Sequence, residues 1–342
     1  MGDELKAVLV GCGGISTAWL DPVTKMQDVR LVGLVDIVEE AARKRAEQYG
    51  LQDAVTGTDL RTVLRDTDPD IVFNCTIPEA HLEVTLTALG HGCHVLSEKP
   101  MADSMENARR MVEAAEESGK LFAVMQNRRY AEPIRRLRAF LEWGQVGPLT
   151  TLNSDFYIGA HFGGFRDHMP HVLLLDMAIH TFDAARFISG ADPVAVYCHE
   201  WNPAGSWYDR DASAVAVFEM TGGLVYTYRG SWCAEGLQTS WEAEWRAIGP
   251  GGSVLWDGHE GFRSQVVAET GGFQSKYADV ALPPHDAQGE TGGHGGLIRD
   301  FVGYVREGRT PGTVCTDNIK SLAMVFGAIE SAETGRRVEI EA

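Results

Sequence analysis

A short apolar run, Ala7–Val10, leads without a break into Gly11-Cys12-Gly13-Gly14-Ile15-Ser16, and a helical pattern opens on the far side. Strand, tight glycine turn and helix make the first half of a βαβ unit, which commits the chain that follows to a parallel sheet. The next stretches keep that commitment. Apolar runs at Leu31–Val35, Ile71–Cys75, His94–Ser97 and Leu121–Met125 alternate with helical patterns that include Ile37–Gln48, Ala80–Leu89 and Ser104–Glu117. Gly50, Gly90 and Gly119 stand where those helices should stop. The strands are apolar throughout, as they are when helices cover both faces of a sheet. Residues 1–125 therefore read as a doubly wound α/β domain.

A chain of 342 residues is too long for one ordinary core, and after about Gln126 its texture changes. Two helical stretches, Glu132–Trp143 and Val172–Ile188, precede strand-like segments at Val194–His199, Ala214–Phe218, Leu224–Tyr228, Glu242–Ile248 and Ser253–Trp256. Short glycine turns join them, which predicts an α+β domain over 126–342 with a large, mostly antiparallel open sheet. Pro283–Gly296 reads as a loop, and a closing helix near Asp317–Thr334, stopped by Gly335, is able to pack back towards the first domain. Six of eight tryptophans fall between Trp201 and Trp256. Trp241 and Trp245 share parity, which puts them on one strand face with Glu242 and Glu244 opposite. Aromatic residues on an open sheet favour a homodimer or homotetramer formed through it.

The balance of 48 acidic against 30 basic residues gives a net charge of −18, which repels phosphodiester backbones and anionic lipid. Nucleic acid and membrane are accordingly excluded as partners. The six cysteines are scattered with no C-x-x-C pair, so reduced thiols are expected. With no basic leader and no apolar run near the roughly 18 residues of a membrane helix, the expected address is the cytoplasm.

The glycines have separate physical tasks. Gly11 permits the tight turn, Gly13 lets the backbone approach a pyrophosphate, and Ser16, in place of a third glycine, must pack closely under the helix. The second strand ends in Asp36, 20 positions beyond Ser16. A carboxylate there accepts hydrogen bonds from adenosine ribose hydroxyls and repels a 2′-phosphate, favouring NAD over NADP. Glu98-Lys99-Pro100 ends the fourth of these strands, at the sheet edge where ligands collect. Its lysine is placed to stabilise a developing alkoxide, and Pro100 to fix the turn with a cis bond. Asp176 and His180, at i and i+4 in an apolar helix, suit proton transfer near neutral pH. Surface ion pairing for Lys99 and helix bracing for Asp176 and His180 remain open on the residues alone.

Together with Thr76-x-Pro78-x-x-His81, these motifs resemble the Gfo/Idh/MocA family of oxidoreductases (glucose–fructose oxidoreductase, inositol dehydrogenase and rhizopine catabolism) over nearly the whole chain. The resemblance implies a Rossmann domain followed by an α+β domain. It implies that Lys99, Asp176 and His180 are catalytic, and that Gly11, Cys12, Gly13, Gly14, Ile15, Asp36, Thr76, Pro78, His81, Glu98, Lys99 and Asn127 bind NAD. A sugar or polyol substrate would meet Lys99, Arg128, Arg166, His168, Asp176, His180 and His294. Among the histidines crowded before the catalytic helix, His161, His168 and His171, no compact metal-ligand spacing occurs, so no resident metal is expected. The implied activity is NAD-dependent oxidation of a sugar, polyol or inositol hydroxyl. Alternatives are a redox-neutral NAD-dependent glycosidase, a metal-dependent hydrolase and a non-catalytic NAD-responsive regulator.

Overall fold

The computed structural model describes residues 4–284, 292–308 and 311–342. The chain falls into two compact units, Met1–Tyr130 with Gln288–Ile319, and Ala131–Ala287 with Lys320–Ala342. The sequence places its boundary after residue 125; the structure adds the return of 288–319 to the first unit, and the division falls inside the closing helix.

In the first unit the order is β1 (Leu5–Val10), α1 (Ser16–Val23), β2 (Val29–Val35), α2 (Glu39–Gln48), β3 (Val55–Gly57), α3 (Leu60–Thr67), β4 (Ile71–Asn74), α4 (Pro78–Gly90), β5 (His94–Ser97), α5 (Met105–Ser118) and β6 (Phe122–Val124). The six strands form one parallel sheet in the order β3-β2-β1-β4-β5-β6, which reverses between β1 and β4. A ligand crevice is expected outside the carboxyl ends of the strands at such a reversal. β4 is buried along its whole length, as a strand covered on both faces should be. Asp59 caps α3 by accepting from the Arg61 and Thr62 N–H groups, and Ser104 caps α5 by accepting from Asn107. Gly119 ends α5 in the left-handed conformation. The pair β3 and α3 has no counterpart in the sequence reading because Val55–Gly57 is too short and too exposed to show an apolar run.

The second unit contains α6 (Glu132–Glu142), β7 (Thr151–Tyr157), α7 (Phe165–His168), α8 (Ile179–Ser189), β8 (Pro193–Trp201), β9 (Ser213–Met220), β10 (Val225–Ser231), β11 (Glu244–Gly249), β12 (Gly252–Trp256), β13 (Phe262–Glu269) and β14 (Lys276–Asp279). Further on come α9 (Gly293–Glu307) in the first unit, α10 (Cys315–Thr334) and β15 (Val338–Glu339). The sheet has nine strands, ordered β14-β13-β12-β11-β7-β10-β9-β8-β15, and all neighbours are antiparallel except β7 and β10. Burial alternates along β9: Ala214, Ala216, Phe218 and Met220 are buried, while Val215 and Val217 are exposed. Phe182 of α8 packs on the buried face, its ring centroid 4.8 Å from Phe218 and 5.2 Å from Tyr228. Burying an aromatic side chain of this kind contributes about 1.5–3 kcal/mol.

Two sequence expectations are corrected here, and a third is refined. β11 begins at Glu244, after a turn in which Ala243 takes φ +63°, so Trp241 and Trp245 do not share a strand face. Trp245 is 3% exposed and Trp241 48%. Within the expected loop Pro283–Gly296, α9 already starts at Gly293, and 285–291 lie outside the described residues. The helix expected over Val172–Ile188 opens with a π-helical segment, Leu173–Ala178, before α8.

Candidate active site

The glycine loop joins β1 to α1. Gly11 has φ +91°, and a Cβ built on it would lie 2.6 Å from the Cys75 carbonyl oxygen, so both conformation and space demand glycine. Around Gly13 and Gly14 nothing lies within 4 Å of such a Cβ, which leaves the approach to the start of α1 open. Ser16 is fully buried and satisfies its hydroxyl by donating to the Gly13 carbonyl at 2.6 Å, which is how serine fits where a third glycine is usual. The Asp36 carboxylate accepts from the Cys12 N–H at 2.7 Å and the Val38 N–H at 2.8 Å, tying the end of β2 to the loop. Each oxygen keeps a further lone pair for a ligand hydroxyl. Beside it, Ile37 is 92% exposed and Val38 56%, an apolar surface next to an acid. Burial, reinforced by Asp36, pushes the Cys12 thiol up to about 12, so it stays protonated. These features fit a dinucleotide: an open approach over Gly13 and Gly14, a helix N-terminus for phosphate and a carboxylate for ribose.

At the carboxyl ends of β4 and β5, Thr76 donates its hydroxyl to Asn74 Oδ1 at 2.6 Å, and Pro78 opens α4. His81 is fully buried, with Nδ1 2.8 Å from the Pro100 carbonyl and Nε2 3.0 Å from the Thr76 carbonyl. Burial holds its pKa below the usual histidine value, so the ring sits between the two loops as a neutral imidazole that donates to one carbonyl and packs against the other. The Lys99–Pro100 peptide bond is cis. Glu98, only 6% exposed, accepts from Trp19 Nε1 at 2.7 Å, from the Lys99 N–H at 3.0 Å and, at 3.4 Å, faces His294 Nε2. Burial pushes this carboxyl up, but the hydrogen bonds from His294 and Trp19 outweigh it, and the net displacement is downwards. His294 Nδ1 lies 3.2 Å from Asn127 Nδ2, so Trp19, Glu98, His294 and Asn127 form one hydrogen-bonded chain behind Lys99. Asn127 and Arg128 sit in a single 3₁₀ turn, Asn127–Tyr130.

In the second unit, Asp176 lies in the π-helical segment and His180 in the first turn of α8. π-helical turns occur mostly where a helix is bent to serve a site. Asp176 Oδ2 accepts from Arg166 Nε at 2.6 Å, and the Arg166 guanidinium also lies over the rings of Phe162 and Phe165. The histidines that crowd together in sequence are divided among separate acids. His161 pairs with Glu235 and stacks on Trp207, His168 pairs with Asp209 at 2.6 Å, and His171 pairs with Glu200 at 2.6 Å. The hydrogen bond it donates to Asp209 raises the pKa of the exposed His168. Of the expected substrate-binding residues before the helix, the structure joins Arg166 to Asp176 and sets His168 on another acid.

Residues 5–126 match the model of the oxidoreductase family with an NAD-binding Rossmann fold, GFO_IDH_MocA, and residues 134–255 match the GFO/IDH/MocA C-terminal domain. The chain belongs to the GFO/IDH/MocA oxidoreductases. It is 25% identical to the 1,5-anhydro-D-fructose reductase of Ensifer adhaerens over 97% of this chain and 98% of that protein. It is 24% identical to the myo-inositol 2-dehydrogenase of Thermotoga maritima, again over 97% and 98%. In fold it resembles the crystal structure of an Agrobacterium radiobacter oxidoreductase in complex with NAD+, L-tartaric acid and magnesium. That likeness has a TM-score of 0.84 at 22% identity over 98% of both chains.

Two residues of this family member lie beyond the reach of the sequence reading. Trp19 carries no motif, and nothing in α1 announces a donor to a carboxylate 79 positions away. Arg45 is one of several charges on α2, yet its guanidinium reaches back to the carbonyls of Gly13 at 2.9 Å and Cys12 at 3.2 Å. Its place on the helix that follows Asp36 is the available signal. Arg43, the nearest base after Asp36 in sequence, pairs instead with Glu40.

Proposed function

We propose that this GFO/IDH/MocA oxidoreductase is an NAD-preferring dehydrogenase that oxidises a secondary or anomeric hydroxyl of a sugar, polyol or inositol. The observation that carries this reading is Lys99. It follows β5 of the sheet whose β1 opens into the glycine loop, and its turn is fixed by the Trp19–Glu98–His294–Asn127 chain. The Asp36 carboxylate, which no basic side chain engages among the described residues, supports NAD over NADP.

Bound NAD supplies a hydride acceptor. In this reading Lys99 holds the substrate oxygen and lowers its pKa. His180 takes the hydroxyl proton, and Asp176 orients the imidazole and stabilises its charged form, itself steadied by Arg166. Arg128, Arg166, His168 and His294 are the proposed contacts of the remaining substrate hydroxyls. Thr76, Pro78, Glu98 and Asn127 line the nicotinamide side, and His81 acts there by holding both loops. The exposed apolar residues of the second sheet, Tyr197, Trp201, Val215, Val217 and Val225, support a homodimer or homotetramer formed through that face. Free cysteines throughout support a reducing, cytoplasmic location. No described helix is long and apolar enough to cross a membrane.

The test is a screen of polyols, inositols and aldoses with NAD and NADP in parallel, followed by absorbance of the reduced cofactor. Lys99→Ala should lower turnover by roughly 10²–10³ while NADH binding stays close to wild type. Unchanged turnover removes Lys99 from the mechanism. Substrate cleavage without net NADH release would point to the redox-neutral glycosidase.

A further inference from the structure

A second cluster of chemically capable side chains lies in the second unit, apart from Asp176 and Arg166. His171 occupies the turn before the π-helical segment, with φ +49°. Glu200 stands near the end of β8, Asp211 in the connection to β9, and Glu333 near the end of α10. One ligand atom each from His171, Glu200 and Asp211 falls within 4.8 Å of the others. His171 Nδ1 is 2.6 Å from Glu200 Oε2, and its Nε2 is 3.5 Å from Glu333 Oε1.

The charge balance of this group is unusual. Three carboxylates surround one imidazole, and the charges acting on Glu200 come from His171, Asp211 and Glu333. The Glu200 side chain is 3% exposed, yet its Oε1 is buried and meets no donor among the described residues. A carboxylate oxygen taken out of water without a donor is costly, and neighbouring negative charges add to that. A protonated His171 answers only Oε2. The geometry therefore leaves a buried carboxylate oxygen among like charges, a place suited to a cation.

We propose that His171, Glu200 and Asp211 bind a divalent metal ion of the zinc and manganese class, with the more exposed Glu333 as a fourth ligand. One imidazole nitrogen with carboxylate oxygens is a donor set that Zn2+, Mn2+ and Co2+ accept. Ligands about 2.1 Å from a common ion lie roughly 3–4 Å apart, so closing the cluster needs side-chain adjustments of about 1–2 Å in the separations between donor atoms. The ion replaces the proton shared between His171 and Glu200 and neutralises the orphaned Oε1. It ties four segments together: the turn that launches the helix bearing Asp176 and His180, β8, the β8–β9 connection and α10. Its work is to hold that helix start in place, not to act on substrate.

The experiment uses the full chain, stripped with a chelator, dialysed and titrated with CoCl2, following the visible d–d absorption of bound cobalt. Thermal unfolding with and without ZnCl2 is measured alongside. The expected result is a band that saturates near one equivalent, is abolished by excess Zn2+, and is accompanied by a raised melting temperature. Glu200→Gln and Asp211→Ala should lose both effects, whereas His161→Gln, at an exposed pair elsewhere in the unit, should keep them. Should Glu200→Gln fail to fold, Asp211→Ala, in the connection between β8 and β9, decides. Absence of a band in the wild type, or its retention in Asp211→Ala or in folded Glu200→Gln, overturns the proposal.

Discussion

Gly11→Ala and Gly13→Ala add the same methyl group two residues apart in one loop, and the structure assigns them different consequences. At Gly11 the backbone sits at φ +91°, where an L side chain costs about 1–2 kcal/mol. The new Cβ would also meet Cys75 O at 2.6 Å, Cys75 C at 2.7 Å and Thr76 N at 2.9 Å. These are backbone atoms at the end of β4, held by a 2.7 Å hydrogen bond from the Cys75 N–H to the Val10 carbonyl, so no side chain can swing away. Overpacking of this kind adds about 1–3 kcal/mol. A total of about 2–5 kcal/mol corresponds to a fall in Tm of roughly 5–15 °C for a unit of this size. Gly13 has neither a positive φ nor any neighbour within 4 Å of a Cβ. Alanine there should leave Tm unchanged, or raise it slightly by restricting the unfolded chain by about 0.4–1 kcal/mol. What it occupies is the space through which a pyrophosphate would reach the backbone. A loss of about 1–3 kcal/mol in that contact weakens NADH binding by roughly tenfold to a hundredfold. Differential scanning calorimetry and calorimetric titration with NADH measure the two quantities separately. Wild-type NADH affinity in Gly13→Ala, or a fall in its Tm matching that of Gly11→Ala, would refute the division of tasks within the loop.

Three further outcomes follow from single contacts. Glu98 has its folded pKa displaced below the ordinary 4.5. It therefore contributes stability that is present above that value and lost as pH falls through the lower folded one. Glu98→Gln should lower Tm at pH 7, by an amount corresponding to about 1.5–3 kcal/mol, and the gap to wild type should close below about pH 4; a gap independent of pH between about 3 and 7 contradicts this. Arg186, whose side chain is 4% exposed, donates to Asp192 at 2.8 Å and to Ser321 at 2.9 Å. Its replacement by Met should destabilise the second unit by about 3 kcal/mol, read from urea unfolding, because Ser321 and Asp192 lose a charged donor. On the outer face of β9, Val217→Glu should leave the monomer folded and shift the molar mass measured by light scattering towards one chain, whereas an unchanged mass would free that face from assembly.

The sheet of the first unit is legible because its strands are covered on both faces, and an uninterrupted apolar run between glycine stops fits little besides a buried parallel strand. The same reasoning misses β7, Thr151–Tyr157, whose alternate residues are polar and whose partners, β10 and β11, lie roughly 75 to 95 residues further along the chain. Strand pairing at that separation leaves no local mark. The site divides in the same way. Gly11, Asp36 and Lys99 stand out because the roles proposed for them follow from position at the end of a strand, which the sequence carries. The support behind Lys99 does not, since His294 reaches Glu98 from a segment that local composition, rich in glycine and histidine, describes as a loop. Helix α9 nevertheless forms there, because Leu297, Ile298, Phe301 and Val302, spaced on one helical face, enter the core with Leu9, Trp19 and Phe73. Tertiary burial at i, i+1, i+4 and i+5 outweighs the low helix propensity of Gly293, Gly295 and Gly296 in the first turn. The consequence for the proposed function is that the environment of Lys99 depends on packing made by a helix some 200 residues away. Conservative changes at Leu297 or Phe301, which touch no ligand, belong among the mutations that should alter turnover.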